Sequence, residues 1–272
     1  MTRFILLLSV CLNFYIVQAQ QLITYPSPEG IIQNSDFSVS VRIPGKQWQE
    51  LSEYSVMVDE VRDVKHVVEN ASMVYFDFSD DIEVSVTYNK GDIKNARIRP
   101  LSYGIKPQIN GNTLNFKLSQ ARNLSVEIND DIFHNLHLFA NPIEVNKPAK
   151  GQKNVIYFGA GFHEIPGGEL KVESGKTVYL AGGAVLKGRV VFKNVENAKL
   201  IGRGMIDQSV RGGVKIENSR NIEVEGIFCT QCFTGGSDSV TIRNVKSMSY
   251  YGWGDGMNVI SSNNVLLDGV FN

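Results

Sequence analysis

The chain has 272 residues, 43% of them hydrophobic and 20% charged, with a formal net charge of −1. That length holds one large domain or two smaller ones. The near-neutral balance, with no basic stripe or polybasic run, argues against nucleic acid or an anionic membrane surface as a partner.

Met1-Thr2-Arg3 places one positive charge ahead of an apolar run, Phe4 to Val17, broken only by Ser9 and Asn13. Val17-Gln18-Ala19 offers small residues where a signal peptidase reads, so residues 1–19 are predicted to be a cleaved signal peptide. The mature chain then begins near Gln20 and is expected to be secreted or periplasmic. No later stretch approaches the ~20 apolar residues of a membrane-spanning helix. Cys11 leaves with the signal, and Cys229 and Cys232 remain. Their C-x-x-C could close a small disulfide in an exported chain, but it lacks a βαβ context and a second Cys/His pair for zinc, so two small apolar residues stacked in a core are the favoured expectation. Asn70-Ala71-Ser72 and Asn123-Leu124-Ser125 match the glycosylation pattern, which matters only in a eukaryotic host.

Residues 20–149 read as a β-sandwich. Phe37–Ile43, Met73–Phe78, Ile82–Tyr88, Thr113–Leu118 and Leu124–Ile128 alternate apolar and polar positions with period two. Asn89-Lys90-Gly91 and Asn110-Gly111-Asn112 supply turns, and this spacing predicts antiparallel sheets. His134 and His137 fall three apart on one predicted strand and so face opposite ways, which argues against a shared metal. The sequence alone names no partner for His66 or His163.

Asn141 to Pro148, followed by Lys150 to Lys153, reads as a linker, and residues 150–272 follow a different pattern. Short β runs recur from Asn197, Asn221, Ser239 and Asn264, which are 24, 18 and 25 residues apart. An earlier copy starts at Lys176. Imperfect repeats of this length with glycine or asparagine corners predict a parallel β-helix. The asparagines are expected in left-handed bends, paired with their copies on neighbouring coils. The uneven spacing requires the longer coils to bulge on one side. The fold class expected is therefore all-β: a β-sandwich followed by a right-handed parallel β-helix.

Ser174 to Gly188, with its Gly182-Gly183-Ala184-Val185-Leu186, and Ile201-Gly202-Arg203-Gly204-Met205-Ile206-Asp207 resemble the opening coils of the polygalacturonase-like glycoside hydrolases of family 28, which share a clan with the family 49 dextranases. Ile98 to Gly104 and Asn135 to Pro142 resemble the sandwich that some members carry ahead of the helix. The resemblance implies an inverting hydrolase acting on a pectin-like or related polysaccharide, with no cofactor and no metal. It also aligns Trp253-Gly254-Asp255-Gly256 with the family's Asn-Thr-Asp-Gly, which makes Asp255 the first catalytic aspartate, although Trp253 and Gly254 depart from the motif. Trp253 and Tyr251, with Tyr250 beside them, are candidate stacking platforms for a sugar.

Inverting hydrolysis needs a protonated carboxyl for the leaving oxygen and a carboxylate to activate water, ~6.5–9.5 Å apart. The family's Asp-Asp pair, histidine and basic pair lie further along than Asn272, so the chain is expected to be a fragment that lacks the acid. A non-catalytic carbohydrate-binding β-helix is the first alternative. A polysaccharide lyase is the second, although that class needs calcium-binding acids and a basic proton abstractor. Asp207 and Asp238 read as structural.

Overall fold

The computed structural model describes residues 20–248 and 254–272, and the predicted signal segment lies outside the described residues. Two sheets form the first part. One has six strands, in the order Leu22–Thr24, Lys65–Phe78, Asp131–Pro142, Arg122–Ile128 and Ala96–Arg99, with Tyr54–Arg62 folded back on Lys65–Phe78. The other runs Gln49–Glu50, Phe37–Arg42, Ile82–Tyr88, Thr113–Leu118, Gln108–Asn110. The period-two residues meet between them: Val39, Val84 and Leu114 from one sheet against Val74, Leu124 and Leu138 from the other, all buried. This is the sandwich that the alternation predicts.

One pairing departs from the antiparallel expectation. Asp131–Pro142 runs parallel to Lys65–Phe78, with Leu136 opposite Ser72 and Pro142 opposite Phe78. Both strands are buried on both faces over this stretch. One face fills the sandwich, and the other turns Met73, Tyr75 and Phe139 outward against Val185, Met205 and Phe228 of the second part. Such two-sided burial is the setting in which parallel pairs occur.

The second part is a parallel β-helix of three faces. The first face stacks Val155–Phe158, Thr177–Leu180, Glu196–Gly202, Arg220–Glu225, Asp238–Arg243 and Asn263–Asp268, every pair parallel. Two long strands, Gly161–Lys171 and Ala184–Lys193, bend across a corner and open the other two faces. Below them the second face holds Met205–Ile206, Phe228–Cys229 and Lys246–Ser247. The third holds Val214–Glu217, Cys232–Gly235 and Met257–Ile260. Val178, Leu200, Ile222, Val240 and their counterparts on the other faces fill the interior. Cys229 and Cys232 are free and buried in that stack, as expected, and burial pushes the Cys229 thiol up to about 12.

The asparagine corners take the predicted form. Asn197, Asn221, Ser239 and Asn264 all have left-handed φ, between 52° and 56°. Asn221 Nδ2 donates to Asn197 Oδ1 at 2.6 Å. On the coil where Ser239 replaces asparagine the ladder shifts by one residue, and Asn264 Nδ2 donates to Asp238 Oδ1 at 2.9 Å. Asp238 is thus a corner residue.

The Gly202-Arg203-Gly204 motif locks the two parts together. A side chain at Gly202 would collide with the Leu180 carbonyl, and one at Gly204 would lie 2.8 Å from the Ala181 and Ala184 carbonyls. Between them Arg203 turns toward the sandwich, and its Nε meets both oxygens of Asp77 at 3.1 and 2.9 Å. Its other nitrogens donate to Gly202 O and Pro142 O. Burial pushes the Asp77 carboxyl up while the guanidinium draws it back down. Beside this pair, fully buried Lys246 donates to Asn141 Oδ1 at 2.5 Å and Asn244 Oδ1 at 2.8 Å.

Candidate functional site

The corner between the second and third faces carries the length variation of the coils. It spans seven residues at Asp207–Gly213 and two at Thr230–Gln231, in step with the coil spacings of 24 and 18. A stacked sheet demands this, because its rungs must stay in register and only a corner can absorb extra residues. The next connection, between Lys246–Ser247 and Met257–Ile260, includes residues outside the described ones. The seven-residue corner, with Ser209 and Arg211 exposed, stands out from the two-residue corner of the next coil, and the step between them is a shallow recess with Thr230 and Gln231 at its foot.

Asp255 is exposed and stands two residues before Met257–Ile260. Its Oδ2 accepts from Asn258 Nδ2 at 2.9 Å, and Asn258 Oδ1 accepts from Gln231 Nε2 at 2.7 Å. A polar chain thus runs from the floor of the recess to the carboxylate. Thr230 braces the floor by donating to Val210 O at 2.6 Å while accepting from Gly213 N. Arg189, one coil further back, donates to Arg211 O at 2.8 Å and pairs with Glu169. A side chain at Gly212 would lie 3.5 Å from its guanidinium and 3.6 Å from the Gln231 amide, so both groups line the same recess. On the outer surface of the third face Phe233 stands beside Lys215 and Asn258, in register across three coils.

Trp253 and Tyr251 lie outside the described residues, as does Tyr250. Among the described residues no second carboxylate contacts Asp255. Asp207 is occupied locally, with Oδ1 accepting from the Ser209 backbone and hydroxyl. His134 bonds Asp131 and Glu69, His137 is buried, and His163 meets Gly159 O at 2.7 Å, so none of these three belongs to the recess. Reading the sequence by motif misses Gln231 and Asn258. The repeat register contains them: once Cys232 is aligned with Met257, Gln231 falls above Gly256 and Asn258 below Phe233.

No protein-family model matches the chain, and no curated protein matches it in sequence. The fold itself has solved counterparts. Dex49A from Penicillium minioluteum superposes with a TM-score of 0.55 at 13% identity, over 91% of this chain and 72% of its own. The chain therefore shares its fold with Dex49A. A candidate glycosyl hydrolase from Parabacteroides merdae ATCC 43184 covers 43% of this chain and 79% of its own, at 14% identity and a TM-score of 0.32, too low to carry an argument.

Proposed function

We propose that this chain is a glycoside-hydrolase-type β-helix, exported by its N-terminal segment, that holds a pectin-like polysaccharide against the recess beside Asp255. The observation that carries the reading is the placement of Asp255. The aspartate that the family resemblance singles out stands just before Met257–Ile260 and is tied through Asn258 to Gln231 of the short corner. A sugar chain laid across that corner meets amides from Gln231 and Asn258, the Arg189 guanidinium and a carboxylate. These groups match hydroxyls, an acidic substituent and a water to be activated. In an inverting mechanism Asp255 serves as part of the base machinery.

The same bonds favour a second reading, a carbohydrate-binding β-helix without turnover. In this reading Asp255 and Asn258 serve as acceptor and donor for sugar hydroxyls, and binding without cleavage is expected of the chain.

Calorimetric titration of residues 20–272 with oligogalacturonides tests the proposal, alongside assays for reducing ends and for unsaturated products. Binding weakened about tenfold by Asn258→Ala, a loss of roughly 1.4 kcal/mol, is the expected result. Absence of any saccharide binding that responds to Gln231, Asn258 or Asp255 would overturn it. Calcium-dependent formation of unsaturated product would move the protein to the lyases.

A further inference from the structure

One sizeable cavity belongs to the sandwich rather than to the β-helix. It lies at one end of the sandwich and encloses about 550 Å³. The outer surface of the five-stranded sheet forms its floor, where Arg42, Glu83 and Lys117 sit side by side in register. The segment from Tyr103 to Lys106 forms one wall, and Arg122, at the start of its strand, forms another.

Its chemistry differs from that of the chain as a whole. Four cations (Arg42, Lys106, Lys117 and Arg122) face one carboxylate, Glu83, in a protein whose net charge is −1. Glu83 is already engaged by Arg42 at 2.7 Å and Lys117 at 3.5 Å. Among the described residues, Lys106 and Arg122 have no carboxylate partner. Two aromatic rings complete the lining, each with a guanidinium over one face: Arg42 lies 4.3 Å from the Trp48 ring centroid and Arg122 lies 4.0 Å from that of Tyr103. Both rings stay open to solvent, at 41% and 40% exposure. Stacking of this kind fixes the guanidinium planes and leaves their edge N–H groups free to donate.

We propose that this recess is a second carbohydrate-binding site, which takes an oligosaccharide carrying anionic groups. Exposed Trp and Tyr rings suit the apolar faces of sugar rings, the asparagine and glutamine side chains of the lining suit hydroxyls, and the unpaired cations suit a carboxylate or sulfate. An anionic polymer bound there would be held by the sandwich while the β-helix recess engages another stretch of it, which raises its effective concentration at Asp255.

The experiment is calorimetric titration of residues 20–272 with trigalacturonate, a sulfated trisaccharide and neutral isomaltotriose. The Lys106→Gln/Arg122→Gln double variant is expected to weaken anionic binding about tenfold or more. Trp48→Ala weakens it as well, and raised salt suppresses it. Asp255→Asn and Asn258→Ala leave this component unchanged, which separates it from binding in the β-helix. Preference for one anionic ligand identifies the source of the charge. The proposal is overturned if neither anionic ligand binds, if isomaltotriose binds the site equally well, or if the double variant, folded by circular dichroism, binds as wild type does.

Discussion

Asp77 and Arg203 form a pair buried on both sides, 126 residues apart in sequence. Their attraction is offset by desolvation, so the pair adds little net stability, but losing one partner strands a charge. Asp77→Ala is expected to cost about 3–5 kcal/mol, read as a lowered denaturant midpoint. His137 acts in the opposite chemical sense. Burial alone lowers its pKa from the ordinary 6.5 to about 4, beside Phe139 and Phe271. As pH falls below 6.5, the unfolded chain takes up the proton before the folded one does. Stability from this group is thus present above that pH and is lost on the way down to about 4, at no more than ~1.4 kcal/mol per pH unit. His137→Phe should flatten that part of the acid slope relative to wild type in urea titrations. An unchanged slope would mean that the ring is already protonated in the fold.

At the scale of elements, the asparagine ladder separates backbone strain from hydrogen bonding. Asn221 is left-handed and donates to Asn197. Asn221→Gly loses only the hydrogen bond, about 1 kcal/mol, whereas Asn221→Ala also incurs the left-handed penalty, for about 2–3 kcal/mol in all. Thermal melts of the two variants should rank in that order, and equal melts would show that the side-chain ladder carries no strain argument. Gly202 permits no such gradation. Its φ is 134°, and any Cβ meets the Leu180 carbonyl, so Gly202→Ala is expected to abolish soluble folded protein. The corner loops show the reverse freedom, ranging from two to seven residues among the described ones while the rungs keep register. Chemistry is therefore expected on the loops and strict spacing on the faces.

Across the whole molecule, the sandwich and the β-helix share a core of Tyr54, Met73, Tyr75 and Phe139 against Val185, Met205 and Phe228. Gly183 N also donates to the Tyr75 hydroxyl at 3.0 Å. A sandwich separated from the helix would expose those rings, so a single cooperative melt of residues 20–272 is expected rather than two transitions. The β-helix interior shows what each coil contributes to the next. Ile242 is fully buried, whereas Leu267, its register partner on the following rung, is 40% exposed. Val259, Ile260 and Leu266 are exposed on the same coil. Burial of a rung in this helix thus comes from the coil stacked on it, not from the rung's own sequence.

Much of this protein is legible without coordinates, because its signals are local. Period-two runs such as Ile82–Tyr88 commit one face of a strand to the interior whatever that interior turns out to be. The recurring asparagines mark backbone bends only a few residue types tolerate, and the spacings of 24, 18 and 25 already require loops on one side. The aspartate between two glycines is visible too, as a residue without a setting. The tertiary structure decided the rest, because it depends on distance in space. Parallel pairing of Lys65–Phe78 with Asp131–Pro142 follows from burial on two faces, which alternation on one face cannot announce. Arg203 finds Asp77 through a fold, not a motif. The Gln231–Asn258–Asp255 chain exists because stacking sets residues 27 apart side by side, converting an ordinary glutamine and asparagine into the floor of a site.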